Sequence, residues 1–394
     1  MTKPPQRTER LHALDSLRAV MMLLGLVLHS AINYAVVDVG AAWPFKDRQS
    51  TNPLFDLLVG YIHAFRMPVF FVVAGFFGAL LFYEKSPQAM LKNRLARVLY
   101  PFLAFVLLLW PLVVFAFTFS GAAAGGAASP WAAGLAPFSS LWSFVPSDTM
   151  HLWFLYYLVF YSFAGWALGA LLRRAPITST WIKRVFAALL GPPLLRPLFF
   201  ALPTFSLLYL MDTPWAEKTG GFWPAWKPLL LYFSFYLFGW LLYSARDRVP
   251  RMARYAWAWT AVATAAFLLK GPPGTGSAPA AMALNAVGVW AFVFGLTGLF
   301  VRYGSAYSAR MRWVSDASYW FYLVHLPLAA FFPGLLVGTG LPAFVKFCLV
   351  LGAVTLCCWM SYAYLIRSST IGYFLNGRKY PRSTAVLTPD TRDN

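Results

Sequence analysis

The sequence predicts an all-α fold: a polytopic membrane bundle of about ten transmembrane helices with both termini in the cytoplasm. Three observations predict it. Of 394 residues, 60% are hydrophobic and only 11% are charged. A soluble domain carries roughly 25% charged residues, so this chain cannot cover itself with a polar surface. Apolar stretches of about 20 residues, the length that crosses a bilayer, recur from end to end with short connections. Lys and Arg are also strongly one-sided. With the N-terminus placed inside, only Lys46, Arg48, Lys218, Lys227 and Lys270 of the 32 fall on outer connections. Arg18, Arg66 and Lys346 fall within helices, and all the others lie on inner segments. Such a bias fixes orientation and favours an even number of spans.

The expected spans lie near 14–36, 54–82, 95–118, 151–172, 197–212, 228–245, 255–270, 280–301, 317–338 and 342–366. Asp15, Arg18 and His29 interrupt the first, and no cleavage site follows, so it reads as a retained helix rather than a signal peptide. The fifth is short and surrounded by Pro192, Pro193, Arg196, Pro197 and Pro203. Residues 181–196 beside it read as an amphipathic piece lying along the membrane surface. Residues 1–13 form a cytoplasmic segment, 14–366 one transmembrane domain, and 367–394 a polar cytoplasmic tail, partly disordered. Outer connections 119–150 and 213–226 carry Trp131, Trp142, Trp215, Trp223 and Trp226. These read either as an interfacial aromatic belt or as platforms for a sugar.

The net charge of +19 belongs to the inner connections and does not signal nucleic acid binding. Cys348, Cys357 and Cys358 share one apolar segment, with neither metal-ligand spacing nor a disulfide framework. No internal repeat, phosphate-binding glycine loop or nucleophile elbow is present, and no metal or cofactor is implied.

Chemistry therefore rests on ionisable groups at membrane depth, which are expensive and mark function by default. In the first helix Arg18 and His29 are eleven residues apart, which places them on one face and roughly 16 Å apart along the axis. Gly25 lies between them and leaves room for a ligand or a neighbouring helix. Asp15 stands near the inner end. Each of the pair also has a bland reading, Arg18 as a snorkelling cation and His29 as a packed core histidine. The second helix carries His63 and Arg66 on adjoining faces, with Pro68 as a kink site. A buried Arg66 needs a carboxylate, a carbonyl or an anionic substrate. The ninth aligns Ser318, Tyr322 and His325 on one face, and Pro327 leaves the Leu323 carbonyl without its helical donor. His151, followed by Trp153, opens the fourth helix at the outer edge, where capping or interfacial packing competes with acceptor binding. Lys346 reads as a snorkelling lysine. A histidine base with arginines that neutralise an anion spells acid–base chemistry or anion handling.

Three stretches together resemble the acyltransferase-3 family of membrane acyltransferases. These are Leu-Asp-Ser-Leu-Arg18 with His29 after ten more residues, the run from Arg66 through Met-Pro-Val-Phe-Phe, and the run from Ser318 to His325-Leu-Pro. The resemblance covers about residues 10–366. Softer features, residues 196–204 and 371–378, point to the family's glucan-biosynthesis members. Those are linked to succinyl substitution of osmoregulated periplasmic glucans in the bacterial inner membrane.

The resemblance implies an acyl-CoA donor on the cytoplasmic side, as substrate rather than cofactor, and a periplasmic or surface glycan acceptor. It implies Arg18 and His29 as the essential pair and Arg66 as the second-helix arginine. Other glucan-synthesis proteins are conceivable partners. Some relatives append a soluble domain; none is evident here, so the bundle is expected to present the acyl group itself or to pass it on. His63, Tyr322, His325 and Asp15 are expected to support the site, Arg94 and Arg97 to bind acyl-CoA phosphates, and Trp142, His151 and Trp153 to meet the acceptor. Acetyl in place of succinyl, with another polysaccharide, is the alternative donor. A transporter or flippase for anions or glycans is the rival class.

Overall fold

A computed structural model describes residues 12–215, 221–271, 278–377 and 380, and these are helical with no strand among them. The expected basic residues Lys3, Arg7, Arg10, Lys218, Arg378, Lys379, Arg382 and Arg392 lie outside this set. The helices are α1 (His12–Ala31), α2 (Pro53–Leu80), α3 (Pro87–Arg94), α4 (Tyr100–Ala124), α5 (Pro130–Leu135), α6 (Trp153–Arg174) and α7 (Pro176–Leu189). They continue as α8 (Arg196–Leu210), α9 (Trp226–Ser244), α10 (Ala256–Lys270), α11 (Ala278–Tyr303), α12 (Ala309–Leu335), α13 (Ala343–Met360) and α14 (Thr370–Asn376).

Each segment expected to span is helical. Six described helical stretches are long and apolar enough to cross a membrane, or seven if α9 and the helical stretch Arg246–Lys270 that contains α10, bent by 109° at the break between them, count as one. α8 is short, and α12 carries Arg310, Arg312 and Asp316 in its first turns, which lowers its hydropathy. The chain is thus a multi-pass membrane protein whose span count by length and apolarity falls below the expected ten.

Start signals are local. Asn52 accepts from the Leu54 amide ahead of Pro53, Ser86 does the same for α3, and Ser308 for α12. α2 forms the heart of the bundle and packs along α9, while α1 packs along α12. The α2–α9 crossing is a backbone-to-backbone approach that only glycine permits: a Cβ on Gly75 would stand 2.0 Å from the Tyr236 carbonyl oxygen, and one on Gly239 1.9 Å from that of Val72.

Two polar devices tie the ends of the bundle. In the connection between α1 and α2, Trp43, Phe45 and Asp47 turn inward while residues 36–42 are exposed. Asp47 pairs with Lys346 of α13 at 2.7 Å, both side chains 1% exposed. Lys346 therefore does not snorkel: a carboxylate from this connection reaches it inside the bundle. At the opposite end Arg312 pairs with Asp316 at 3.0 Å, and the Tyr380 hydroxyl donates to the same carboxylate at 2.6 Å. Arg97 donates to the carbonyls of Tyr373 and Phe374 at 2.9 and 2.5 Å. The start of the expected polar tail is thus folded and docked as α14. Of the piece expected over 181–196, residues up to Leu189 belong to α7, which begins earlier, at Pro176, and exposes Trp181 while burying Phe186; the rest is a turn leading into α8 at Arg196.

Candidate active site

α1 sets two stations on one face, as its spacing requires. At the deeper one, the His29 ring lies 5.2 Å from that of His325 on α12, and His325 lies 5.1 Å from that of His151. Arg66 of α2 completes the group. The three histidines come from residues 122 or more apart in sequence and meet because α12 packs along α1 and its Tyr322 and Leu323 bond to His151 in the turn before α6.

Pro327 is the local reason His151 belongs here. It has no amide hydrogen, so the Leu323 carbonyl lacks its helical donor. The His151 Nε2 fills that vacancy at 2.9 Å. Tyr322 returns the favour, its hydroxyl donating to the His151 carbonyl at 2.8 Å. His151 is therefore a buried member of the cluster, 7% exposed, and not an interfacial cap. His325 is 0% exposed, and its Nδ1 faces the carbonyls of Tyr322 and Phe321 at 2.8 and 3.1 Å. A ring nitrogen facing a carbonyl carries the hydrogen, so the neutral ring presents a bare lone pair at Nε2.

Gly25 brings the reactive atoms together. A Cβ there would stand 3.2 Å from Arg66 Nη2 and 3.4 Å from His325 Nε2, so guanidinium and imidazole share the space over one glycine. The His325 Nε2, Arg66 Nε and His29 Nδ1 are all buried without a hydrogen-bond partner. Arg66 has no carboxylate partner among the described residues. A buried, unpaired guanidinium beside unoccupied imidazole nitrogens is costly unless a ligand or water completes it.

His29 is held from the outer side. Trp43, in the 32–52 connection, stacks on it at 5.0 Å with 16° between the planes and meets Phe117 edge-on at 4.9 Å. The indole donates to Asn33 Oδ1 at 2.9 Å, while the Asn33 amide reaches the carbonyls of His29 and Ala329 at 3.0 and 3.2 Å. Trp43 and Asn33 were not among the expected site residues. Trp43 sits in the connection, where helical periodicity has ended and no spacing marks it, whereas Asn33 lies in the first expected span, four residues after His29, a spacing that could have found it. His63 is exposed, whereas Arg66 and Met67, three and four positions on along the same side of α2, are buried. That stripe is open at His63 and closed one turn deeper.

At the inner station Arg18 pairs with Asp15 and bonds Ser315 Oγ, both at 3.4 Å, and its guanidinium lies 5.8 Å from the Phe77 ring centre. Arg94 turns inward, donating to the Ala74 carbonyl at 3.3 Å, within electrostatic reach of Arg18. Of the two expected phosphate ligands, Arg94 thus joins Arg18, while Arg97 is engaged with α14. Among the expected acceptor residues only His151 reaches the cluster. Trp153 packs on Tyr232 and Tyr157, and Trp142 is 82% exposed on a turn beside α4. No group of three or more metal-ligating side chains forms among the described residues.

Comparison with known proteins gives a consistent result. Residues 11–363 match the acyltransferase-3 family, described as an acyltransferase domain. The glucans biosynthesis protein C of Escherichia coli K12 is 26% identical over 339 residues, covering 83% of this chain and 84% of that protein. The protein of the same name from strain ED1a of E. coli O81 is 26% identical over 345 residues, with the same two coverages. No solved structure matches the chain.

Proposed function

Because the chain belongs to the acyltransferase-3 family and is an acyltransferase, we propose that it moves an acyl group from cytoplasmic acyl-CoA to hydroxyls of a periplasmic glucan at the bacterial inner membrane. The donor acyl group in this reading is succinyl. The observation that carries the reading is the deeper station: His29, His325 and an uncompensated Arg66 gathered over Gly25, with Arg18 and Arg94 about three helical turns inward. Glucan and succinyl rest on likeness to the E. coli proteins named for glucan biosynthesis.

The two stations suit a donor with an anionic head and a thioester on a long arm. Arg18 and Arg94 hold phosphate at the inner end. The thioester reaches His29, the acid–base residue of the transfer. Arg66 stabilises the oxyanion that develops on the acyl carbonyl. Tyr322 is less suited to that task, because its single hydroxyl hydrogen is committed to the His151 carbonyl. The acceptor approaches along the α2 stripe that is open at His63.

The test is thiol release by purified protein in detergent, comparing succinyl-CoA with acetyl-CoA, with and without periplasmic glucan. Glucan-dependent release from succinyl-CoA is expected. Release from acetyl-CoA alone would reassign the donor. No release from either would contradict acyl transfer and favour a carrier, which has no reason to free the thiol.

A further inference from the structure

His29 is not the only imidazole able to take a proton here, and His325 is not equivalent to it. His325 is wholly buried, and the helical carbonyls of Phe321 and Tyr322 lock its Nδ1–H. Its Nε2 is an acceptor with nothing to accept from. That lone pair and the Arg66 guanidinium both press on the space over Gly25, so they are no farther apart than the sum of their two distances to it. A bare acceptor beside a cationic donor is complementary to an alcohol, whose hydrogen meets the acceptor while its oxygen meets the donor. It is not complementary to an anion, which would leave the lone pair facing negative charge. His29 differs: it is part-exposed, stacked on Trp43, and aligned with Arg18 on α1.

We propose that acid–base work is divided, His325 Nε2 being the base for the acceptor hydroxyl and His29 serving the thioester. This rests on the acyl-transfer reading above. The hydroxyl O–H bond breaks and its proton goes to His325 Nε2. The oxygen bonds to the acyl carbon, the C–S bond breaks, and the sulfur leaves as a thiolate. The proton taken by His325 passes to His29, whose ring lies 5.2 Å away, and from His29 to the sulfur, which leaves both rings neutral again. The sum is acyl-CoA plus alcohol giving ester plus thiol.

The experiment replaces the acceptor rather than only the residue. Hydroxylamine attacks an acyl carbon as the neutral amine and needs no prior loss of a proton. Purified full-length protein and the H325Q variant are each given acyl-CoA with glucan or with hydroxylamine, and ester and hydroxamate are measured above the uncatalysed background. A missing general base lowers ester formation by about 100-fold or more, while hydroxamate formation stays within a few-fold of wild type. Equal loss of both products would overturn the division and make His325 structural, and retention of both would overturn it equally. If H325Q does not accumulate as folded protein, H325A with added imidazole takes its place. Recovery of ester formation supports the assignment, and no recovery overturns it. A wild-type protein that forms neither product overturns the division together with the acyl-transfer reading, whereas wild-type transfer with an unselective H325Q overturns the division alone.

Discussion

Replacing Gly25 by alanine separates catalytic geometry from stability. The added methyl carbon would stand 3.2 Å from Arg66 Nη2, 3.4 Å from Arg66 Cζ and 3.4 Å from His325 Nε2. The first contact is a few tenths of an ångström too tight and the other two are at the limit of ordinary packing, so Arg66, the flexible partner, must yield. A misplacement of about 1 Å costs about 100-fold in rate, so a shift of a few tenths predicts a fall of about 3- to 10-fold. Stability moves the other way: alanine is about 1 kcal/mol better than glycine inside a helix, which roughly offsets the crowding. The assay pairs acyl-transfer rate with thermal unfolding in the same detergent. Gly352→Ala is the control, because nothing lies within 4 Å of its added carbon. Gly25→Ala should lose rate at unchanged melting temperature, and Gly352→Ala should lose neither. Full activity in Gly25→Ala, or loss of rate only in step with loss of fold, would refute the placement of Arg66 and His325 over this glycine.

Substitutions at three other places probe the scaffold. Removing either member of the buried Asp47–Lys346 pair leaves a lone buried charge, so Asp47→Asn or Lys346→Met should each cost about 3–5 kcal/mol. The apolar double replacement Asp47→Leu with Lys346→Met should recover most of that in a thermal melt. Pro327→Ala restores an amide donor to the Leu323 carbonyl and displaces the His151 Nε2; transfer should fall while the helix itself gains, read by activity and melting temperature together. Trp43→Phe keeps an aromatic face on His29 but loses the indole bond to Asn33, a loss of about 1 kcal/mol. Trp43→Ala removes the stack as well and should lower transfer further, measured at matched protein amounts.

How much of this was legible beforehand follows from where each residue sits. Arg18, Gly25 and His29 could be aligned because one helix fixes their angular positions. Arg66 stood out as a cation in an otherwise apolar run, and Pro327 announced a free carbonyl. What periodicity cannot supply is the partner across helices. Nothing local says that His151 answers that carbonyl, that Asp47 finds Lys346 from 299 positions away, or that Arg97 is spent on α14. Trp43 was invisible because it lies in a connection, where side-chain direction depends on tertiary contacts such as the bond to Asn33. The count by length and apolarity falls below the expected ten because α8 and α10 have only 15 residues each and α12 opens with Arg310, Arg312 and Asp316, which lower its hydropathy.

The most direct measurement is the acyl ester content of periplasmic glucan in cells carrying His29→Ala, with membrane amounts of the protein matched to wild type. The account predicts loss of substitution with no change in protein abundance. Near-normal substitution in that variant would contradict it.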